Sequence, residues 1–410
     1  GKSHHRARIL LAESVQEQGR WEGSLRHLPE TTDLDATDLA TCEARRLAAQ
    51  AWMPNDGASS EILAHSIIDR LENTNDPELT TTLIPAAIKA THTNLRESTL
   101  HRLYEVVVAK AGAELSLEVR LQLATALTMA AWGIGRLDRH PDLRAQLATL
   151  SEEYKACKLA CSTTVMFENS RGCLGISLGD YEAALEAFRG GFSIARTLGN
   201  EMFMGIHASN VAVALGRLGR YAEALVWNQK SAVCFSQIQC SWRQERALLW
   251  SGWCHAMLGQ HRAAADLVER LLTAWEHHDS SWVMQYNGLL TADVSLLAGD
   301  NSTSDSIADQ VISKTGLEAA SIGETGRVTR WRFRPSVVLG GRDTLANLEL
   351  IALNRRRLDL FDQAEVVGAL LRAKKAYQMS YAAERLELLD LLSRLPEPVS
   401  TQLTRLGLLG

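Results

Sequence analysis

The densest charged feature of the sequence is a run of arginines with aromatic residues between them. The segment GRVTRWRFRP contains Arg327, Arg330, Arg332, Arg334, Trp331 and Phe333. In an extended strand or loop, alternate arginines share one face and form a compact site for a phosphate, a carboxylate or an acidic partner. In a helix, Arg327, Arg330 and Arg334 form a stripe instead. Both geometries predict an anion or partner contact.

Two other interpretations of the arginine run stay open. Arginines and aromatic rings together can hold the backbone and bases of a nucleic acid. The run can also be a solvated edge that pairs with acidic neighbours such as Glu324 and Asp343. Because the net charge is −5, no general attraction to nucleic acid exists, and we expect no direct nucleic-acid binding.

The cysteine and histidine positions do not complete a metal-binding or redox motif. Cys157 and Cys161 are spaced to share one face of a helix, but no second pair or nearby His completes a metal site. We predict that the seven cysteines are mostly buried packing residues in a reducing compartment. His277 and His278 are predicted to be a helix cap and a solvated loop. We expect no bound metal.

Catalytic motifs are absent from the sequence. It contains no Gly-x-Ser-x-Gly elbow, no His-Glu-x-x-His pair, no paired Cys-x-x-Cys and no phosphate-binding loop. We therefore expect a protein that is not an enzyme and that needs no cofactor. An enzyme with dispersed residues would require a coupled acid and base in a polar pocket.

Composition and length limit the class of protein. The chain has 410 residues, 46% of them hydrophobic, and only 8 prolines, which favours helices. No apolar run approaches the roughly 20 residues of a membrane span, and no signal-peptide core follows the first residues. We expect a soluble, cytoplasmic protein without membrane contact. Because the chain begins at Gly1, we interpret it as a piece of a longer protein.

A repeated motif organises the sequence. LGDYEAALEAF begins at Leu178, and LGRYAEALVWN follows at Leu218. The same register gives Tyr181, Tyr221, His261 and Asn301, and weaker copies occur around Trp21 and Phe361. The interval between successive copies from Tyr181 to Asn301 is forty residues. A period of this length is typical of stacked helix hairpins.

Small residues and glycines within each repeat predict the hairpin. A small residue follows the aromatic position by three, at Ala184, Ala224, Ala264, Ser304 and Ala364. Another precedes the turn glycine by seven, at Ala12, Gly172, Ala212, Gly252 and Ala292. Two antiparallel helices need small residues where they cross. Gly179, Gly219, Gly259 and Gly299 are then left-handed caps at the end of each first helix.

The pattern resembles the tetratricopeptide family. Gly172, Gly179, Tyr181, Ala184 and Phe188 match its small residue, turn and second helix best. The forty-residue period is similar to the sensor arms of MalT-type regulators, which are bacterial transcription regulators of the LuxR family with a STAND ATPase module. The segment FDQAEVVGALLRAKKAYQMSYAAERLELL is similar to their last repeat. The resemblance implies an all-α, right-handed superhelical solenoid of antiparallel helix hairpins.

The register predicts four segments. Residues 1–150 fit the repeat poorly and form degenerate repeats or a separate helical subdomain. Residues 151–310 are regular repeats, 311–344 are an Arg-rich interruption, and 345–410 hold the last repeat and capping helices. The interruption follows from a sixty-residue interval between Asn301 and Phe361.

In related folds the first helices line the concave groove, and the resemblance assigns the inward positions. The candidate ligand-binding residues are Asn210, Arg246, Trp250, Trp253, Tyr286 and Asp293. In family members that clamp peptides, an Asn at the position of Asn210 holds the ligand backbone and a cation at the position of Arg246 holds a carboxylate. The alternative for the aromatic residues is packing between repeats.

These observations predict a non-catalytic sensing or interaction arm of a bacterial signalling regulator. Its effector would be a small molecule, a peptide or a protein bound in the groove. The resemblance implies an upstream nucleotide-switch module. Effector binding in the groove would change the curvature of the arm or its contact with that module, and the differential affinity would shift the regulator toward its active state. The alternative is a free-standing scaffold or peptide receptor.

Overall fold

All regular secondary structure in the described part of the chain is α-helical, without a strand. The computed structural model describes residues 2–17, 21–30, 34, 36–52, 57–76, 79, 80, 82–84, 86, 87, 97–110, 116–133, 142–272, 274, 281–315, 349, 360–376 and 378–405. The predicted all-α, tetratricopeptide-like class is confirmed. The Arg-rich segment, with Arg327, Arg330, Arg332 and Arg334, and the pair His277 and His278 lie outside the described residues.

The helices are numbered in chain order. Those before the regular repeats are α1 (Lys2–Glu17), α2 (Trp21–Leu25), α3 (Ala36–Trp52), α4 (Gly57–Asn73), α5 (Glu97–Lys110), α6 (Leu117–Gly133) and α7 (Leu143–Ala156). The regular repeats contain α8 (Ser162–Leu178), α9 (Tyr181–Thr197), α10 (Glu201–Arg217), α11 (Tyr221–Gln237), α12 (Ser241–Met257), α13 (His261–Leu271), α14 (Ser281–Leu297) and α15 (Asn301–Thr315). The last helices are α16 (Leu360–Ala376), α17 (Ala382–Arg394) and α18 (Glu397–Arg405).

The chain divides into two compact units. The first comprises residues 1–174 and 187–207, and the second comprises residues 175–186 and 208–410. A large apolar core in the first unit includes Ile67, Ile68, Leu83, Leu103 and Phe203. These side chains are far apart in the sequence and include residues of α4, α5 and α10. Residues before 151, which fit the repeat poorly, therefore still form a continuous core.

Left-handed caps end the helices, as the turn glycines predict. Gly179, Gly219 and Gly259 have φ angles of 75°, 76° and 74°. Beyond each cap, a backbone N–H reaches five residues back, as in Arg220 to the Leu215 carbonyl at 2.8 Å. This Schellman arrangement satisfies carbonyls that would otherwise have no partner at the helix end.

The second helices end in the same way, which the sequence did not reveal. Gly199 has a φ of 65°, and Gln239 adopts a φ of 57° although it is not a glycine. The Cys240 N–H donates to the Phe235 carbonyl at 2.9 Å. The structural period is therefore half the sequence period, with one cap every twenty residues from Gly179 to Gly259.

The small residues of the repeat lie where the helices cross, as predicted. Ala184, Ala224, Ala264, Ser304 and Ala364 all have 0% exposed surface. In the first unit, a Cβ added to Gly172 would lie 2.3 Å from the Phe188 ring, which is far inside contact distance. A larger residue at such a position would force the helices apart.

The cysteines differ from the prediction. Helix α7 ends at Ala156 and α8 begins at Ser162, so Cys157 and Cys161 flank a turn and do not share a helix face. Cys157 is exposed, whereas Cys42, Cys234 and Cys254 are buried. Lys158, with a φ of 52°, forms the turn. The four-residue spacing alone did not indicate that the helix had already ended.

No described helix is both long and apolar enough to cross a membrane.

Candidate functional site

One face of α12 carries the candidate residues that the structure brings closest together. Arg246, Trp250 and Trp253 follow each other at helical spacing, so their side chains form one stripe. Trp250 and Trp253 are buried, whereas Arg246 is only partly buried. The stripe therefore runs from an accessible cation to a buried aromatic end.

The accessible end of the stripe meets α14. Arg246 donates a hydrogen bond from Nη2 to the Tyr286 hydroxyl. Its guanidinium carbon also lies 3.6 Å from the centre of the Tyr286 ring. Next to it, the Asn287 amide donates to the Trp242 carbonyl at 2.9 Å, which ties α14 to α12. A stacked, oriented guanidinium is well suited to bind a carboxylate.

A second arginine adds positive charge at this end of α12. Arg243 is partly buried and stacks on the Trp242 ring, 4.3 Å from its centre. Burial, and then the neighbouring charge of Arg246, lowers the pKa of Arg243 to about 10. Arg243 therefore remains charged at neutral pH, and together with Arg246 it makes this end of the stripe attractive to anions.

The buried end of the stripe is a cluster of four aromatic rings, Tyr221, Trp250, Trp253 and Phe361, which we call the tryptophan cluster. Trp253 is its centre, with ring-centre distances of 5.7 Å to Tyr221, 5.6 Å to Trp250 and 6.2 Å to Phe361. All three pairs are edge-to-face, which the aromatic quadrupoles favour. Three elements, α11, α12 and α16, thus meet at one tryptophan.

An ion pair joins the tryptophan cluster. Arg217, at the end of α10, donates from Nη2 to the Asp362 carboxylate at 3.1 Å. Its guanidinium carbon lies 4.1 Å from the centre of the Phe361 ring. Arg217 is only 4% exposed and Asp362 only 3%. Because both charges are desolvated, removing one partner would cost about 3–5 kcal/mol.

A small recess opens beside this ion pair. Its volume is about 10 Å³, which is about the size of one water molecule, and Arg217, Asn228 and Trp250 are among its lining residues. The Asn228 amide donates to Cys254 Sγ at 3.8 Å, but its Oδ1 has no hydrogen-bond partner among the described residues. Burial raises the pKa of the Cys254 thiol to about 12, so the thiol stays protonated.

The hydroxyl of Tyr221 is a second polar group of this region without a hydrogen-bond partner in the described ranges. Burial raises its pKa to about 12, although the Arg217 cation opposes this shift. Both Tyr221 and Asn228 are more than nine-tenths buried. Buried polar atoms without partners are uncommon, and each favours a ligand or water that completes its bonding.

Two predicted residues lie elsewhere. Asn210 is partly buried on α10, and Asp293 is buried on α14 with 2% of its surface exposed. Neither is among the residues that line the recess. Among the described side chains, no group of three or more His, Cys, Asp or Glu residues could hold a metal ion.

Reasoning from sequence missed the ion pair. Arg217 and Asp362 are 145 residues apart, and the intervening repeats contain no motif that links them. One signal was available. At the position of Arg217 the other regular repeats have Ser177, Met257 and Leu297, so a charge occurs there only once.

Comparison with known proteins defines the fold class. No protein-family model and no curated protein matches this sequence. A Rap protein solved in complex with competence and sporulation factor is similar in structure, with a TM-score of 0.54 and 13% identity. The similarity covers 97% of this chain and 100% of the Rap chain.

Two further structures are more distantly similar. The apo form of the quorum sensor NprR from B. thuringiensis has a TM-score of 0.47 and 13% identity, over 93% of this chain and 99% of that one. A STAND ATPase with a tetratricopeptide repeat sensor, from Pyrococcus horikoshii, has a TM-score of 0.41 and 8% identity, over 94% of this chain and 55% of that one. The helix hairpins of the described residues and the similarity to the Rap structure place the fold in the tetratricopeptide-like class of helical-repeat proteins.

Proposed function

We propose that this chain is a non-catalytic receptor that binds a peptide or protein segment along the stripe of α12. The observation that carries the proposal is the arrangement of Arg246, Trp250 and Trp253 on one face, with Tyr286 orienting the arginine. Arg246 would bind a carboxylate of the ligand, and the aromatic residues would bind an adjacent apolar or aromatic side chain. Asn210 and Asp293 stay proposed as polar contacts at neighbouring positions.

The chemistry of the stripe supports a binding role. It combines one accessible cation with large aromatic surfaces, the residue types that dominate binding energy at protein interfaces. Helical-repeat proteins commonly use the variable faces of stacked helices for binding, because the repeated positions are occupied by packing. The similar Rap protein was solved with a bound factor, which agrees with such a role for this fold.

In its finer form, the proposal makes the chain the sensor arm of a bacterial transcription regulator. A nucleotide-switch module upstream would respond when the ligand binds one conformation of the arm more tightly than the other. The alternative is a free-standing receptor in the cytoplasm. The gene's full reading frame separates the two.

Arg327, Arg330, Arg332 and Arg334 stay proposed as a second contact for an acidic partner. Replacing all four by Gln would weaken a partner that uses them, and the loss would be largest at low salt because screening already weakens the contact at high salt. Binding that is unchanged at low salt would contradict this contact.

A thermal-shift screen of peptides and metabolites tests the main proposal. We expect a ligand that raises the melting temperature and whose binding weakens by roughly tenfold or more in Arg246→Gln, because a charge-assisted contact contributes about 1.5–3 kcal/mol. Trp250→Phe should also weaken binding, while it keeps an aromatic ring at this buried position. Isothermal titration gives the dissociation constants.

Matched controls come from the second helix of the preceding repeat. Trp227, partly buried with Lys230 4.1 Å above its ring, carries the same side chain away from the stripe. Arg220 pairs with Glu223 at 2.6 Å at the start of α11. Trp227→Phe and Arg220→Gln should leave binding unchanged. A ligand that is equally sensitive to both sets of variants does not bind the proposed stripe.

A further inference from the structure

The C-terminal helices of the second unit contact the end of α10 at two places. Phe361 and Asp362, in the first turn of α16, contact Trp253 and Arg217. At the start of α18, Pro398 lies against the turn glycine Gly219, where an added Cβ would be 2.6 Å from the proline Cβ. Two separate helices of the C-terminal segment therefore pack on one helix end.

The first of these contacts uses Trp253, on which the proposed function relies, together with the neighbouring cation Arg217. Trp253 is the buried end of the stripe, and Arg217 is a cation one ring away from it. Phe361 provides an aromatic ring to Trp253, and Asp362 provides a carboxylate to Arg217. An aromatic side chain followed directly by a carboxylate is the same chemistry that the stripe would bind in a ligand.

The internal segment does not complete the bonding around it. Asn228 Oδ1 and the Tyr221 hydroxyl are buried without hydrogen-bond partners among the described residues. Asn228 lines the same small recess as Arg217, so a polar group that enters beside Arg217 would come close to Asn228. A ligand that added a hydrogen-bond donor to Asn228 would gain a bond that Asp362 cannot make, because a carboxylate only accepts.

We infer that Phe361 and Asp362 are an internal ligand, which an external peptide presenting an aromatic residue next to a carboxylate displaces from Arg217 and Trp253. The inference rests on the proposed function, since it identifies the ligand chemistry and the regulation of the same stripe. Displacement would release α16 from α10, and this release couples binding to a change in the C-terminal segment. A ligand shifts the chain toward the released state only as far as it binds that state more tightly than the state in which α16 is in place.

Tethering explains why the internal ligand would regulate binding. A segment on the same chain competes at an effective concentration of roughly millimolar. If the internal segment has micromolar intrinsic affinity, a peptide would then bind the intact chain up to about a thousandfold more weakly than a chain whose internal ligand is disabled. Even if the internal segment competes only partly, the dissociation constants of the peptide for the two chains should differ by about tenfold.

The test uses the full chain and a peptide with the sequence of α16, LFDQAEVVGALLRAKKA. The open variant carries Phe361→Ala and Asp362→Asn. We expect the peptide to bind the open variant at least about tenfold more tightly than the unmodified chain. A peptide carrying the same two substitutions should not bind, and Arg217→Met in the open variant should abolish binding of the original peptide.

Glu384→Gln is the matched control, because Glu384 pairs with Lys374 at 2.7 Å between α16 and α17 and its loss leaves the Phe361 and Asp362 contacts in place. This variant should bind the peptide as weakly as the unmodified chain. If the open variant does not fold, the nearly isosteric single variant Asp362→Asn replaces it. We expect this variant to bind the peptide several-fold more tightly than the unmodified chain does. Equal binding to the unmodified chain and to a folded variant would overturn the inference, as would binding of the substituted peptide.

The two proposals fail differently. A ligand that requires Arg246 and Trp250 but leaves amide exchange in residues 360–376 unchanged at saturation overturns the internal ligand and keeps the receptor. In the opposite case, the α16 peptide binds the open variant but no external ligand depends on Arg246. That result supports the internal ligand and overturns the proposed receptor function.

Discussion

Docking of α18 on the end of α10 can be measured with two alanine substitutions. Gly219 and Gly259 occupy equivalent turns, with φ angles of 76° and 74°. An added Cβ at Gly219 would lie 2.6 Å from Pro398 Cβ, whereas at Gly259 nothing lies within 4 Å. The two substitutions therefore share the backbone cost and differ in the close contact with Pro398, beside an ordinary contact of 3.6 Å with Val399.

The expected magnitudes follow from these two contributions. A left-handed alanine costs about 1–2 kcal/mol, which reduced entropy of the unfolded chain offsets by about 0.4–1 kcal/mol. Gly259→Ala should therefore lower the free energy of unfolding by about 1 kcal/mol. Carbon atoms pack best at roughly 3.5–4.0 Å, and the proline ring cannot rotate away. Gly219→Ala should lose a further 1–3 kcal/mol or so, the typical cost of overpacking.

Urea unfolding followed by circular dichroism gives both free energies. Pro398→Gly in the Gly219→Ala background removes the opposing Cβ, so a double-mutant cycle should recover most of the additional loss. Equal destabilisation by Gly219→Ala and Gly259→Ala, within about 0.5 kcal/mol, would refute the contact between α18 and α10. It would also remove one of the two C-terminal contacts on that helix end.

Other predictions concern glycine packing, a buried histidine and the thiols. Gly190→Ala should stabilise the chain by up to about 1 kcal/mol, because helical alanine is preferred and its Cβ would meet nothing closer than 3.7 Å, whereas Gly191→Ala should destabilise it because the His207 ring would lie 2.0 Å away. Thermal unfolding of the two variants checks this opposite sign. Burial lowers the pKa of His207 from 6.5 to about 4, so the unfolded chain binds the additional proton and stability should fall by up to about 3 kcal/mol as pH decreases through this window. His207→Gln should lose that part of the pH dependence in urea unfolding at pH 4.5 and 7.5, and an unchanged dependence would contradict it. Cys157 should react quickly with a thiol reagent because it is exposed, and buried Cys254, whose pKa is raised to about 12, should react slowly; mass spectrometry of the labelled chain distinguishes them.

Local chemistry made much of the repeat predictable. The turn before each second helix of the regular repeats has a left-handed conformation that glycine adopts without strain, as at Gly219. Helices can approach closely only where a small residue lies at the crossing, as at Ala224. These requirements recur in the regular repeats, so they appear in the sequence as a period of forty residues. The cap at Gln239 was not predictable, because a non-glycine residue in that conformation has no distinctive sequence signal.

The candidate site was predictable only in part, for a related reason. The spacing of Arg246, Trp250 and Trp253 along one helix places them on a common face, and helical geometry alone determines this. Whether a face is open or covered depends on segments that return from far along the chain. The sequence thus determined the helices of the regular repeats, the glycine caps of their first helices and the stripe, whereas only the tertiary structure decided that Asp362 pairs with Arg217 across 145 residues. Such a pair depends on the summed geometry of all intervening helices, and no local pattern encodes that sum.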